Sequence, residues 1–375
     1  MGMGERTARM ALCALQPMGN QALAALVAED GAEAVWEGVR GIGVESRWGR
    51  RSMLVDPDAI VRATRKLGAR FVIPGDEEWP TQVDDLTGVA AAGEGGAPLG
   101  LWIRGTHRLG GLSGAVALVG ARAATPYGTH VAQDWAADLA VEGRVVVSGM
   151  AFGIDAAAHR GALGARRPTL ALLACGVDIA YPTAHSALMG AVMANGAVVS
   201  EVPPGTRPAK VSFLARNRMI AALADGVVVV EAAARSGAKN TATWASELGR
   251  VVMAVPGPVT TTMSATPNRL IRDGVATLVS SPAEVIAMLS PLSPQDELPI
   301  IGAATNFDRL SGDCRSVREA MHPRESVGVA EVSARTGLSV PRCLSALDEL
   351  SELGWVEDLG GHWALPRRRV HEAQA

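Results

Sequence analysis

Val116-Ala117-Leu118-Val119-Gly120-Ala121-Arg122-Ala123-Ala124-Thr125-Pro126-Tyr127-Gly128 reads as four apolar residues, a short turn carrying one arginine, and the start of a helix. Thr125 suits the N-cap, and Pro126 suits the first helical position, where its missing N–H is not needed. Gly143 closes that helix. A strand apolar on both faces belongs inside a sheet that is covered on both sides. The pattern repeats at Val145–Val147, Leu170–Leu173, Ala197–Val199, Val227–Val230 and Val251–Val255, with helical segments between. Strands alternating with helices over 114–290 predict an α/β fold built on a Rossmann-like parallel sheet.

Upstream of this core, residues 1–75 read as a small helical domain. Asn20 precedes Gln21–Val27 as an N-cap, and Gly31 terminates that run. Pro17-Met18-Gly19 is similar to the turns of helix-hairpin-helix or sterile-alpha-motif-like modules. Residues 76–113 read as a transition, with Ala90–Leu99, rich in Ala and Gly, as linker. Downstream, 291–311 is polar linker. Residues 312–366 show helices at Ser316–Met321, Val329–Thr336 and Val340–Leu353, then a hairpin of Trp355–Asp358 and His362–Leu365, the winged-helix pattern. A basic tail, Arg367-Arg368-Arg369, follows.

Nearly half of the 375 residues are apolar, yet no uninterrupted apolar run reaches the roughly 18–20 residues of a membrane-spanning helix. Met1–Arg9 has no signal-peptide pattern. A soluble, cytoplasmic protein without membrane attachment is expected. Cys13, Cys175, Cys314 and Cys343 form no C-x-x-C pair, so neither a disulfide framework nor structural zinc is expected. The net charge is −3, so any affinity for nucleic acid must come from local charge. Gly114–Leu289 supplies it, with 14 Lys+Arg against 11 Asp+Glu. Lysine is scarce, and two of the three, Lys210 and Lys239, fall in this core.

Ligands of open α/β sheets bind beyond the carboxyl ends of the strands. Three phrases belong there: Ser148-Gly149-Met150-Ala151-Phe152-Gly153-Ile154-Asp155, Phe213-Leu214-Ala215-Arg216-Asn217-Arg218 and Val255-Pro256-Gly257-Pro258. Their glycines and arginines suit a phosphate-rich ligand, best a nucleic-acid strand. The spacing after Gly120 is not G-x-G-x-x-G, and Ser148 stands where a ribose-binding acid would, so a dinucleotide is disfavoured. No P-loop exists, and no G-x-S-x-G elbow frames Ser148, Ser200 or Ser236. Neither cofactor nor catalysis is expected. Asp155 and His159, four residues apart, share a helix face on which the acid can orient the imidazole. Arg216-Asn217-Arg218 reads as the opening of a helix to about Leu223, where two cations oppose the dipole unless an anion is bound. Phe213 offers a ring beside these charges, the aromatic-plus-basic pairing that holds single strands. Ser236-Gly237 starts a second helix carrying Lys239.

These phrases, with Gly120–Gly128, Ala158-His159, Cys175-Gly176-Val177-Asp178, Tyr181-Pro182, Ser200-Glu201, Glu231, Thr241-Ala242 and Gly257, resemble in order the motifs of the DNA-processing protein A (DprA/Smf) family. The resemblance covers roughly the middle half of the chain. It implies a homodimeric, non-catalytic protein that binds single-stranded DNA and helps load the RecA recombinase during DNA uptake, natural transformation or repair. Carried over, the DNA site comprises Arg122, Lys210, Phe213, Arg216, Asn217 and Arg218, with Gly149, Ser236 and Gly237 adding backbone groups and Lys239 charge. Departures from the family pattern are Ala121 for serine, Phe152 for arginine or tyrosine, Ala222 for glycine and Thr266 for glycine. The competing enzyme reading, a nucleotide phosphoribohydrolase on a related scaffold, needs a P-G-G-x-G-T-x-x-E loop. Here that place reads Arg235-Ser236-Gly237-Ala238-Lys239-Asn240-Thr241, with no acid before Glu247.

Overall fold

The computed structural model describes residues 3–15, 18–91, 94–290, 307, 309–323 and 325–366. The chain divides into two compact units, Met1–Ser293 and Pro294–Ala375. The first opens with helices α1 (Glu5–Cys13), α2 (Gln21–Asp30), α3 (Ala32–Ile42), α4 (Arg47–Ser52) and α5 (Pro57–Lys66). Short polar caps fix the starts of α2 and α5: Asn20 accepts from the Leu23 N–H at 2.8 Å and Asp56 from that of Ala59 at 2.9 Å.

Strands β1 (Arg70–Val72), β2 (Ala90–Ala91), β3 (Glu94–Gly95), β4 (Leu101–Gly105) and β5 (Val116–Val119) follow, then α6 (Pro126–Val141), β6 (Val146–Ser148), α7 (Ile154–Gly164), β7 (Thr169–Leu172), α8 (Ser186–Asn195) and β8 (Ala197–Ser200). The unit continues with α9 (Lys210–Ala222), β9 (Gly226–Val229), α10 (Gly237–Glu247), β10 (Val251–Ala254), α11 (Ala265–Arg272), β11 (Thr277–Leu278) and α12 (Pro282–Leu289). Nine strands form one sheet in the order β1-β4-β8-β7-β6-β5-β9-β10-β11. From β8 to β11 every pair is parallel, whereas β4 runs antiparallel to both β8 and β1.

Alternation of side chains between two covered faces explains why the parallel strands are almost wholly apolar, with Ser148, Thr169 and Ser200 as buried exceptions. Ala117, Val119, Val227 and Val229 belong to the core on one face, and Val116, Leu118, Val228 and Val230 to the core on the other. Each fully buried Val or Leu contributes on the order of 1.5–3 kcal/mol. Thr125 caps α6, accepting from the Gly128 N–H at 3.2 Å. The buried Glu231 carboxylate also takes the Thr125 hydroxyl at 2.6 Å and its N–H at 2.9 Å. A Cβ on Gly128 would stand 2.2 Å from that carboxylate, so the residue must be glycine.

Three sequence expectations need correction. The sheet begins well before Gly114, because β1 and β4 pair onto it; β4 combines buried Leu101, Trp102 and Ile103 with Arg104 and has no helical partner to announce it. Ala90–Leu99 contains the β2–β3 hairpin. Helix α9 starts at Lys210 rather than near Arg216, so the Phe213–Arg218 phrase lies inside a helix and Arg216 faces no free amides. Pro17, the 291–306 part of the linker and the Arg367–Arg369 tail lie outside the described residues.

The second unit contains α13 (Gly312–Glu319), β12 (Ser326–Gly328), α14 (Val329–Thr336), α15 (Val340–Glu352), β13 (Glu357–Asp358) and β14 (His362–Ala364). Its three strands pair antiparallel in the order β12-β14-β13, over a core that includes Val317, Cys343, Leu347, Leu350 and Trp363. Strand β12, with Val327 as its one large apolar residue, has too little pattern to be read from sequence.

Candidate nucleic-acid interface

The chain proceeds from β5 outward to β8, then returns past β5 to β9 and on to β11, so the topology reverses beside β5. Connections diverge at such a point and leave a crevice beyond the carboxyl ends of the strands. A groove of about 730 Å³ lies there. Its walls come from the turn after β5 (Gly120–Ala123), the start of α7, Tyr181, the face of α9, the Ala233–Ala238 turn that begins α10, and Met263.

Helix α9 supplies one wall because Lys210, Phe213, Leu214, Asn217 and Ile220 recur at three- and four-residue intervals, and all five line the groove. The Phe213 ring is partly covered: the Arg122 guanidinium carbon stands 5.1 Å from its centroid, and the Tyr181 ring 5.4 Å from it at an angle of 45°. Arg122, Lys210 and Arg235 are exposed. Asn217 joins the walls, its amide donating to the Gly237 carbonyl and to Asn240 Oδ1, both at 3.3 Å. Ser236 caps α10, accepting from the Ala238 N–H at 3.2 Å, and no acidic residue occupies that first turn. The amino end of α10 therefore presents its positive pole to the groove.

Arg216 lines the groove floor, 5% exposed, and is held from below. Its Nη1 donates to the carbonyls of Gly149 at 2.6 Å and Leu172 at 2.5 Å, and its Nε to Asn217 Oδ1 at 3.3 Å. A Cβ on Gly149 would stand 2.4 Å from that Nη1, so a side chain there would have to displace the Arg216 guanidinium. Burial pushes the Arg216 pKa down, and the Asp155 charge opposes this. Burial likewise pushes the Asp155 carboxyl up, against the pull of Arg216 and the Ala151 N–H. Among the described residues, Asp155 is the one acid on the groove wall, and no pair of carboxylates is assembled there.

Arg218, Gly149 and Lys239 do not line the groove. Two residues along a helix turn a side chain by about 200°, so Arg218 points away from Arg216. It is 1% exposed and forks onto Glu201, with Nη2 at 2.6 and 2.9 Å from the two carboxylate oxygens. Its role as a phosphate contact is withdrawn in favour of this buried ion pair. Gly149 makes room for Arg216, and Lys239 faces solvent. Asp155 does not orient His159, whose Nδ1 lies 2.8 Å from the Thr169 hydroxyl. Burial holds that imidazole near a pKa of about 3.

Sequence reasoning passed over Arg235 and Tyr181 as contacts. Arg235 adjoins the Ser236-Gly237 turn, and Tyr181 stands in a quoted motif, so both signals were present. Thr266, a departure from the family pattern, supports the Arg235 loop: its hydroxyl donates to the Ala233 carbonyl at 2.8 Å and its N–H to that of Ala232 at 3.0 Å. Phe152, another departure, is exposed and packs edge-on against His185 at 4.7 Å.

Fold and site together define a doubly wound α/β protein with a basic, aromatic-lined crevice at its switch point. Residues 70–290 match the family described as DNA recombination-mediator protein A, and the chain belongs to that family. A DNA processing protein DprA of Mycobacterium tuberculosis is 44% identical over 314 residues, 82% of this chain and 80% of the relative. Protein Smf of Escherichia coli is 35% identical over 266 residues, 68% of this chain and 69% of its own. The X-ray structure of DNA processing protein A from Streptococcus pneumoniae superposes with a TM-score of 0.63 at 30% identity, covering 78% of this chain and all of that one. DNA processing protein A from Helicobacter pylori, described for its single-stranded DNA binding mode, superposes with a TM-score of 0.51 at 29% identity, over 59% of this chain and 95% of the other. Among the described residues, no helix is long and apolar enough to cross a membrane.

Proposed function

We propose that this protein binds single-stranded DNA in the switch-point groove and acts in the cytoplasm as a non-catalytic recombination mediator that helps load RecA, working as a homodimer. The observation that carries the reading is the meeting of Arg122, Lys210, Arg216 and Arg235 with the Phe213/Tyr181 ring pair and the open amino end of α10 in one groove. Cations track a phosphate backbone whatever its sequence, and an aromatic face stacks any base, so this combination suits sequence-independent single-strand binding. Arg122, Lys210 and Arg235 meet phosphates; Arg216 acts mainly by fixing the floor, with its charge directed at the groove. Membership of the mediator family and the single-strand binding of the H. pylori relative support the same reading.

The test is a filter-binding titration with single-stranded oligonucleotide, run beside a nucleoside-monophosphate hydrolysis assay. Salt-sensitive binding without turnover is expected; turnover without binding overturns the proposal. RecA loading is tested separately, by following RecA filament growth on DNA coated with a single-strand-binding protein. Addition of this protein should shorten the lag, and an unchanged lag removes the loading role.

A further inference from the structure

The opposite, amino-terminal rim of the sheet carries a second concentration of positive charge. Helices α6 and α7 both end there, and their following loops lead into the adjacent parallel strands β6 and β7, in which Val146 lies opposite Thr169. Arg144 precedes Val146 by two residues and Arg167 precedes Thr169 by two, which sets their backbones about one strand spacing, roughly 5 Å, apart. Arg166 adjoins Arg167, and Arg160 lies near the end of α7. Arg160, Arg166 and Arg167 are exposed and Arg144 is half-buried, its guanidinium lying across Gly114. None of the four pairs with a carboxylate among the described residues, in contrast with Arg70, Arg218 and Arg250 of the same unit.

A cation at a helix C-terminus is favoured by the dipole, and one per helix satisfies that preference. Three arginines within eight residues at the end of α7 exceed it and repel one another. Glu142 is the one acid in the two loops. The backbone is also held in an unfavourable conformation to place one of them. Arg166 has φ +56°, in the left-handed region, just past the helix end where glycine is usual. The turn is nonetheless closed, with the Arg166 N–H on the Leu163 carbonyl at 2.9 Å and that of Arg167 on Ala162 at 3.0 Å. Arginine is thus presented from a rigid turn whose geometry would suit glycine better.

We infer that this rim is a second phosphate-binding surface, which takes the backbone of nucleic acid extending beyond the groove. The inference rests on the reading of the groove as a single-strand site. Asp155, in the first turn of α7, lines the groove, and Arg166 follows its last turn. The 11-residue helix therefore separates the two surfaces by about 16 Å, a span of about five nucleotides at roughly 3.4 Å each. An oligonucleotide that fills only the groove leaves the rim untouched; a longer one reaches it.

The experiment uses the full chain with Arg160→Ser, Arg166→Ser and Arg167→Ser combined, titrated across salt with single-stranded oligonucleotides of about four and about thirty nucleotides and with a duplex of about thirty base pairs. The log–log salt slope for the long single strand should shrink by about 2, near 0.7 per lost contact, with the short one unchanged. A change confined to the duplex identifies a second, double-stranded segment as the source of the phosphates. Unchanged slopes for both long ligands overturn the inference. Arg166→Gly alone should lower the slope while Tm holds or rises, which separates lost contact from lost fold. If the wild-type protein binds the long strand but not the short one, the groove reading fails while the rim is still judged on the long strand.

Discussion

Arg216 and Arg218 stand two residues apart on one helix, and their neighbours assign them different work. Replacing Arg218 by Ala leaves Glu201 buried without its partner and should cost on the order of 3–5 kcal/mol of stability in urea unfolding, with the salt slope of DNA binding unchanged in the folded fraction. Arg122→Ala, Lys210→Ala and Arg235→Ala should do the reverse: stability holds, and each lowers the slope by about 0.7. Phe213→Ala should cost roughly 1–3 kcal/mol of affinity per stacked base with the slope intact, because a ring releases no counterions. Loss of folding in that variant would mark Phe213 as core. His159 supplies a pH test. The Thr169 hydroxyl donates to the Val146 carbonyl at 2.8 Å, so the imidazole Nδ1 must donate to Thr169, leaving Nε2 buried and bare. Its folded pKa of about 3 lies below the ordinary 6.5, so the unfolded chain takes up the proton first and stability falls as pH drops through 6.5. Between pH 7 and 5 this amounts to about 2 kcal/mol, and His159→Asn should flatten the dependence. Placement at the groove was legible for Arg122 and Lys210, which stand in or beside the segments that follow strands β5 and β8. The role of Arg218 was not, because its buried partner Glu201 lies 17 residues away and only the fold brings the two together.

At the scale of elements, α6 and α10 begin alike and serve differently. The Glu231 carboxylate sits at the amino end of α6 and satisfies Thr125, so this pole is already neutralised inside the protein. Helix α10 has only Ser236 and opens on the groove. Thr125→Ala should therefore cost about 0.5–2 kcal/mol of stability and leave DNA affinity unchanged, measured by thermal unfolding and filter binding on the same preparation. A loss of affinity at full stability would reassign α6 to the binding surface. The six parallel strands from β5 to β10 were readable because burial on both faces leaves them almost wholly apolar, with Ser148, Thr169 and Ser200 as the polar residues among them. Strands β4 and β12 were not: both pair antiparallel and stand outside the strand–helix repeat, so local pattern carries too little signal.

At the scale of the whole molecule, positive charge is gathered in the first unit and spent internally in the second. Ser316–Leu365 holds four arginines against eight acids. Arg335 forks between Glu325 and Glu331, Arg342 pairs with Asp313 at 2.5 Å, and Arg318 stacks over Trp355 at 5.9 Å. Asp348, Glu349 and Glu352 stand exposed along the second half of α15. Basic charge supplies nearly all non-specific affinity for a duplex, and a face of this sign repels one. The second unit has its own core, so the two units can be prepared separately. A chain ending at Ser293 should keep most of the single-strand affinity and its salt slope. The isolated unit from about Gly312 should show no duplex binding at physiological salt, and its conserved fold can be checked by the burial of Trp363 in fluorescence. Tight, sequence-selective duplex binding by that unit would mean that its acidic helix is not the contacting element and that recognition runs through another face.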